Sequence, residues 1–151
     1  MTTIGLGSAG LNVTDLDRSI AFYRRALGFD LIRTSTDETH RFAHLGLDDV
    51  VLLTLWQQGA AGFVADRAGL HHLSFEVPSL DELHAVEARL RAASVSIREE
   101  RGATKGTAAT GQVFFKDPDG IRLEIYTEDP RARGSASDLP RCGFYEELPD
   151  R

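Results

Sequence analysis

The chain is predicted to be an α+β protein: two β-α-β-β-β modules that together form a cup-shaped mixed β-sheet. Three observations carry that expectation. First, the stretch from Ser8 to Asp17 recurs as His72 to Asp81, and Leu53-Thr54-Leu55 recurs as Leu123-Glu124-Ile125. Duplication of this kind places equivalent positions around one shared pocket. Second, two segments carry apolar residues at helical spacing, each directly after a short alternating strand. Third, three further strand candidates follow each helix.

The elements follow in chain order. A first strand ends at Val13. Leu16, Ile20, Tyr23 and Leu27 then share one helical face, opened by Thr14 with Asp17 three residues on and closed by Gly28. Strands are expected over Phe29 to Thr34, His40 to Leu45 and Val50 to Trp56. The second module repeats the order. Its first strand ends at Val77, and Ser79 with Glu82 forms a capping box ahead of Leu80, Leu83, Val86 and Leu90. Strands then cover Val95 to Glu99, Gln112 to Phe115 and Ile121 to Tyr126, the last two joined by the turn Asp117-Pro118-Asp119-Gly120. The modules span about 4–62 and 69–128 within one domain of residues 1–128. Residues 129–151, with three prolines and the lone Cys142, are expected to be an irregular tail. The small polar run from Gly102 to Gly111 is expected to be a mobile loop.

Strand alternation assigns faces. Leu73, Phe75 and Val77 face the helix, as do Ile121, Leu123 and Ile125; His72, Ser74, Glu76, Arg122, Glu124 and Tyr126 take the other side. In the first module Val51, Leu53, Leu55, Ala43 and Leu45 are inner, with Leu52, Thr54, Trp56, His40, Phe42 and His44 opposite. Each module thus has one apolar face for its helix and one mixed polar-aromatic face, suited to a small-molecule pocket.

Composition narrows the classes. The 151 residues suit one domain or two closely packed modules, and the balance of 42% hydrophobic and 26% charged residues is that of a soluble globular protein. A net charge of −6 without a basic, aromatic-laced stripe argues against nucleic-acid binding. No apolar run is long enough to span a bilayer, and Met1-Thr2-Thr3 does not open a signal peptide. A single cysteine fits a reducing cytoplasm.

These segments resemble the vicinal oxygen chelate superfamily, which includes glyoxalases, fosfomycin- and bleomycin-resistance proteins and extradiol dioxygenases. The resemblance rests on Leu11 to Tyr23, Leu27-Gly28-Phe29, Gly69 to Val77 and Phe115 to Tyr126. It implies a glyoxalase/bleomycin-resistance/dioxygenase fold, a small-molecule partner and a homodimer. In metal-using members a divalent ion (Fe, Mn, Zn, Ni or Mg) is held by a His on the first strand, a His opening the second module and a Glu on the last strand. The second and third positions fall on His72 and Glu124. The first falls on Ser8, and an optional fourth falls on Thr54; neither hydroxyl is a strong donor to such a cation.

Ring-cleaving members carry a Tyr where this chain has Phe114, and an acid/base His in the stretch that here runs from Leu47 to Leu55 without one. Extradiol cleavage is therefore disfavoured. His44, ten residues before Thr54, is a candidate general base or replacement ligand, set against a plain hydrogen-bonded strand histidine. Glu124 is the other candidate for catalysis. Ser8, Phe42, Thr54, Trp56, Phe114, Arg122 and Tyr126 are candidate substrate contacts. Two functions follow: a metal-dependent lyase, isomerase or dioxygenase-like enzyme acting on vicinal oxygens, or a metal-free protein that sequesters a planar compound, as in the bleomycin-resistance branch.

Overall fold

In the computed structural model, residues 5–35, 37–98 and 111–132 are described. Two compact units meet at the Gly62/Phe63 boundary. The second begins at Phe63, whose N–H donates to the Asp119 carbonyl at 2.7 Å.

The first unit holds β1 (Ala9–Asn12), α1 (Leu16–Leu27), β2 (Asp30–Thr34), β3 (Phe42–Leu47) and β4 (Val50–Trp56). The second holds β5 (Leu73–Glu76), α2 (Leu80–Ala92), β6 (Ile97–Arg98), β7 (Gln112–Lys116) and β8 (Arg122–Tyr126). Each unit forms its own four-stranded mixed sheet, ordered β1-β4-β3-β2 and β5-β8-β7-β6. In both, the first strand lies parallel to the last, which puts β1 against β4 and β5 against β8. The α+β class and the duplicated order are as the sequence predicts.

In the first unit α1 lies on the sheet, covering Ala43, Leu45, Leu53 and Leu55, all fully buried beneath buried Tyr23. Truncating any of these leucines to Ala removes about 2–5 kcal/mol. Helix α1 is capped by Asp15, whose carboxylate accepts from the Arg18 N–H at 3.0 Å. This corrects the expected Thr14 cap by one residue; the Thr14 hydroxyl instead accepts from the Arg18 guanidinium at 2.9 Å. Gly28 closes the helix as expected, in the left-handed region at φ 77° that glycine enters without steric cost. In the second unit Ser79 caps α2 by accepting from Glu82 N–H at 3.2 Å.

Two register shifts alter the faces that strict alternation assigns. Leu45 pairs with Leu53 but Gly46 pairs with Val51, so Leu52 is an extra residue in β4. Val51 is thereby turned to the side of Phe42 and His44, not to the helix side. In β2, Leu31 pairs with Leu45 and Arg33 with His44, leaving Ile32 as the extra residue. His40 lies outside β3, in an exposed turn where its ring meets Asp37 at 3.0 Å.

The chain after β8 does not become irregular at once. Pro130–Ala132 form a 3-10 turn with Ala132 buried, and Asp129 ties it to α2. Its carboxylate accepts from Leu80 N–H at 3.0 Å and from the Arg131 guanidinium at 2.7 Å, and that guanidinium also reaches Asp81. These bonds, Arg131's side chain foremost, hold the Asp129 carboxyl well below the usual carboxylate range. A depressed folded value means the contribution is complete above the unfolded value near about 3.9 and is lost as pH falls toward the folded one. Asp129→Asn is therefore expected to be less stable than wild type at neutral pH, the gap in Tm closing below about pH 4. A gap that stays constant down to pH 2 would refute the assignment. Residues 133–151, with Cys142, Phe144, Tyr145 and Leu148, and residues 102–110 of the expected mobile loop lie outside the described residues; Gly111 is buried at φ 83°.

Candidate functional site

In the second unit the parallel pairing of β5 with β8 sets Ser74 beside Glu124, and β7 places Phe114 on Glu124's other side. Glu124 is 6% exposed. A carboxylate so far from water needs partners, and among the described residues it has two. The Ser74 hydroxyl donates to Oε2 at 2.7 Å, and His72 Nε2 lies 3.2 Å from the same oxygen. His72 stands just before β5, half-buried at the sheet's edge.

His72 has a second imidazole on its other nitrogen. The Nδ1 atoms of His71 and His72 are 2.8 Å apart with the rings edge to face, so one carries the hydrogen and the other accepts. Partial burial, then the charges of His72 and Arg122, keep His71 below the ordinary imidazole range, which favours its neutral form. Alternation sends His71 away from His72. The strand begins only at Leu73, however, so the preceding dipeptide is not bound by the pleat. That is why His71 and its link to His72 were not expected; the paired histidines in the sequence are the only signal. Ser74 was on the expected face but without a role.

The remaining candidates in this unit divide. Arg122 is 1% exposed and acts on His71 through its charge. Phe114 is buried across from Glu124 and brings no hydroxyl there. The Tyr126 hydroxyl donates to Glu76 at 3.3 Å across the strand pair, and burial, then Glu76, raises its pKa.

In the first unit one sheet face gathers Phe42, His44, Thr54 and Trp56, as predicted. Phe42 packs edge-on to His44 and tilted against Trp56, both with centroids 5.1 Å apart. His44 Nδ1 lies 3.4 Å from the Thr54 hydroxyl, a long contact. Ser8 is exposed, just ahead of β1.

Two donors of the kind a divalent ion takes, an imidazole nitrogen and a carboxylate oxygen, thus stand together. Ligand atoms about 2.1 Å from an ion are about 3.0 Å apart at a right angle and about 3.4 Å apart at a tetrahedral one. The 3.2 Å spacing of His72 and Glu124 falls between these. Among the described residues no group of three or more His, Cys, Asp or Glu is placed to hold an ion. The spacing of the pair is compatible with two ligands of one ion.

Comparison with known proteins gives the chain a family. The model of the Glyoxalase/Bleomycin resistance protein/Dioxygenase superfamily covers residues 5–125, and the chain belongs to that superfamily. It is 32% identical over 120 residues to the lactoylglutathione lyase of Haemophilus influenzae, covering 76% of this chain and 86% of that one. To the catechol-2,3-dioxygenase of Bacillus subtilis it is 31% identical over 84% of its own length, but it spans 42% of that larger protein. A solved glyoxylase/bleomycin resistance protein/dioxygenase domain from Frankia sp. EAN1pec superposes with TM-score 0.68 at 30% identity, over 83% of this chain and 98% of that one. The fosfomycin resistance protein FosX of Listeria monocytogenes, a mutant solved with Mn(II) and 1S,2S-dihydroxypropylphosphonic acid, superposes with TM-score 0.62 at 20% identity, over 83% and 93%, a likeness of fold alone. Among the described residues no helix is long and apolar enough to cross a membrane.

Proposed function

We propose that the chain is an enzyme acting on a small molecule with vicinal oxygens, with His72 and Glu124 holding a divalent metal ion. The observation that carries this reading is the 3.2 Å approach of His72 Nε2 to buried Glu124 Oε2, at the two positions the superfamily resemblance assigns to ligands. The names of two relatives support the chemistry: a lactoylglutathione lyase and, over part of its length, a catechol-2,3-dioxygenase. When bound, the ion supplies a Lewis acid that polarises the substrate's oxygens. The chain supplies the rest. Ser74 fixes the Glu124 carboxylate by donating to Oε2, and His71 holds the His72 ring through Nδ1. The lone pair of His72 Nε2 faces an ion only when the ring hydrogen sits on Nδ1, where His71 accepts it. Lyase or isomerase chemistry fits better than ring cleavage, because Phe114 puts a phenyl ring opposite Glu124.

A second reading, metal-free sequestration of a planar compound, is favoured by one observation: no third strong ligand joins the pair among the described residues. Metal analysis of protein purified without chelators separates the two. The enzyme reading expects a divalent metal near one per chain, lost in His72→Ala. Protein that carries no metal, and takes up none when dialysed against Mn(II), Zn(II) or Ni(II), leaves sequestration standing.

A further inference from the structure

The bulge in β2 has a specific consequence for the first unit. Strict alternation would put Arg33 on the same side as Leu31, which pairs with inner, fully buried Leu45. With Ile32 as the extra residue, Arg33 pairs instead with His44, and directly paired residues of an antiparallel ladder share a face. The side chain follows: the Arg33 guanidinium lies over the Phe42 ring, 5.8 Å from its centroid. One continuous surface results, running from Arg33 over Phe42 to Trp56 on one side and to His44 and Thr54 on the other. Phe42, His44 and Trp56 are half-buried and Arg33 is exposed.

We propose that this surface is a binding site for a planar aromatic carboxylate. A guanidinium held over an arene by cation–π attraction keeps its N–H edges for a second partner. A carboxylate matches that fork, with two parallel charge-assisted hydrogen bonds. The Phe42 and Trp56 rings beside it supply the apolar area that an arene covers. Charge agrees. The chain as a whole carries −6, yet this surface presents a cation. The acid in register on the same face is Asp30, which pairs with Gly46 in the row beyond His44, and among the described residues no carboxylate forms an ion pair with Arg33. His44, with Nδ1 toward Thr54, has Nε2 as a second donor or acceptor for the ligand's polar end. Neither His72 nor Glu124 is drawn on for this inference.

The test uses the full-length protein, whose single tryptophan, Trp56, reports directly on the surface. Benzoate is the probe, benzamide the neutral match in shape, and acetate the anion without a ring. Benzoate is expected to quench Trp56 saturably, with benzamide and acetate each weaker by about tenfold or more. Arg33→Gln, on an exposed edge strand where it should not disturb folding, is expected to weaken benzoate by about tenfold or more while leaving benzamide unchanged. Arg33→Lys, a point charge without the fork, should fall between. Equal affinity for benzoate and benzamide, an unaltered benzoate affinity in Arg33→Gln with an unaltered melting curve, or no quenching by benzoate at 10 mM (about 10 mM taken as the weak-binding limit) would each overturn the proposal. None of these outcomes depends on metal content. The two readings therefore fail separately.

Discussion

Gly46→Ala is expected to destabilise the protein by more than about 3 kcal/mol, seen as a fall in Tm of about 10 °C or as loss of soluble protein. Gly46 is buried in β3, where the β4 bulge brings the opposing backbone unusually close. A Cβ there would land on the Val50 carbonyl and crowd the Val50 carbonyl carbon and Leu52 nitrogen. These are backbone atoms of the paired strand, so no rotamer change relieves the clash, and the β3-β4 ladder itself must move. That ladder carries Leu45, Leu53 and Leu55 to the buried face and His44 and Thr54 to the other. Gly10→Ala is the matched control. Gly10 lies on neighbouring β1, opposite Thr54, with nothing within 4 Å of an added Cβ. It should melt within a degree or two of wild type. Equal Tm values for the two variants would show that the bulge tolerates a side chain.

The same bulges explain what could and could not be read from the residues. The buried face was legible because it obeys simple periodicity: Leu53 and Leu55 alternate, and Leu16, Tyr23 and Leu27 fall on one helical stripe. Ser79 and Gly28 were legible because the chemistry of a cap is local. Asp15 and Thr14 are adjacent residues that both cap well, and only the backbone decides between them. Bulges were not legible. Ile32 and Leu52 are ordinary strand residues, and the register that makes them extra is set by pairing with β3, a property of two strands and not of either sequence. The β4 bulge inverts the face assigned to Val51, and the β2 bulge brings Arg33 to the aromatic surface. In the second unit, where the β7-β8 ladder runs from Gln112↔Tyr126 to Lys116↔Arg122 without a shift, alternation placed Ser74 and Glu124 together as expected.

Glu124→Gln is expected to lower divalent-metal affinity by more than about 100-fold while shifting Tm by no more than a few degrees. Changes to residues that merely orient a ligand already cost about 10–100-fold, and here a charged donor itself is lost. Stability should survive because Gln keeps the shape and an oxygen that accepts from the Ser74 hydroxyl, the shorter of the two contacts at 2.7 Å. Glu124→Leu differs in kind. It leaves the Ser74 hydroxyl and His72 without their acceptor in a nearly closed environment, which costs about 1–3 kcal/mol for the hydroxyl alone. Isothermal titration with Mn(II) and a thermal melt of the metal-free proteins make the comparison. If Gln and Leu lose metal alike but only Leu melts early, the carboxylate's charge serves the ion and its hydrogen bonds serve the fold. If Gln binds Mn(II) as wild type does, then Glu124 is a structural acceptor for Ser74 and His72. The metal reading would then fail at the residue on which it most depends.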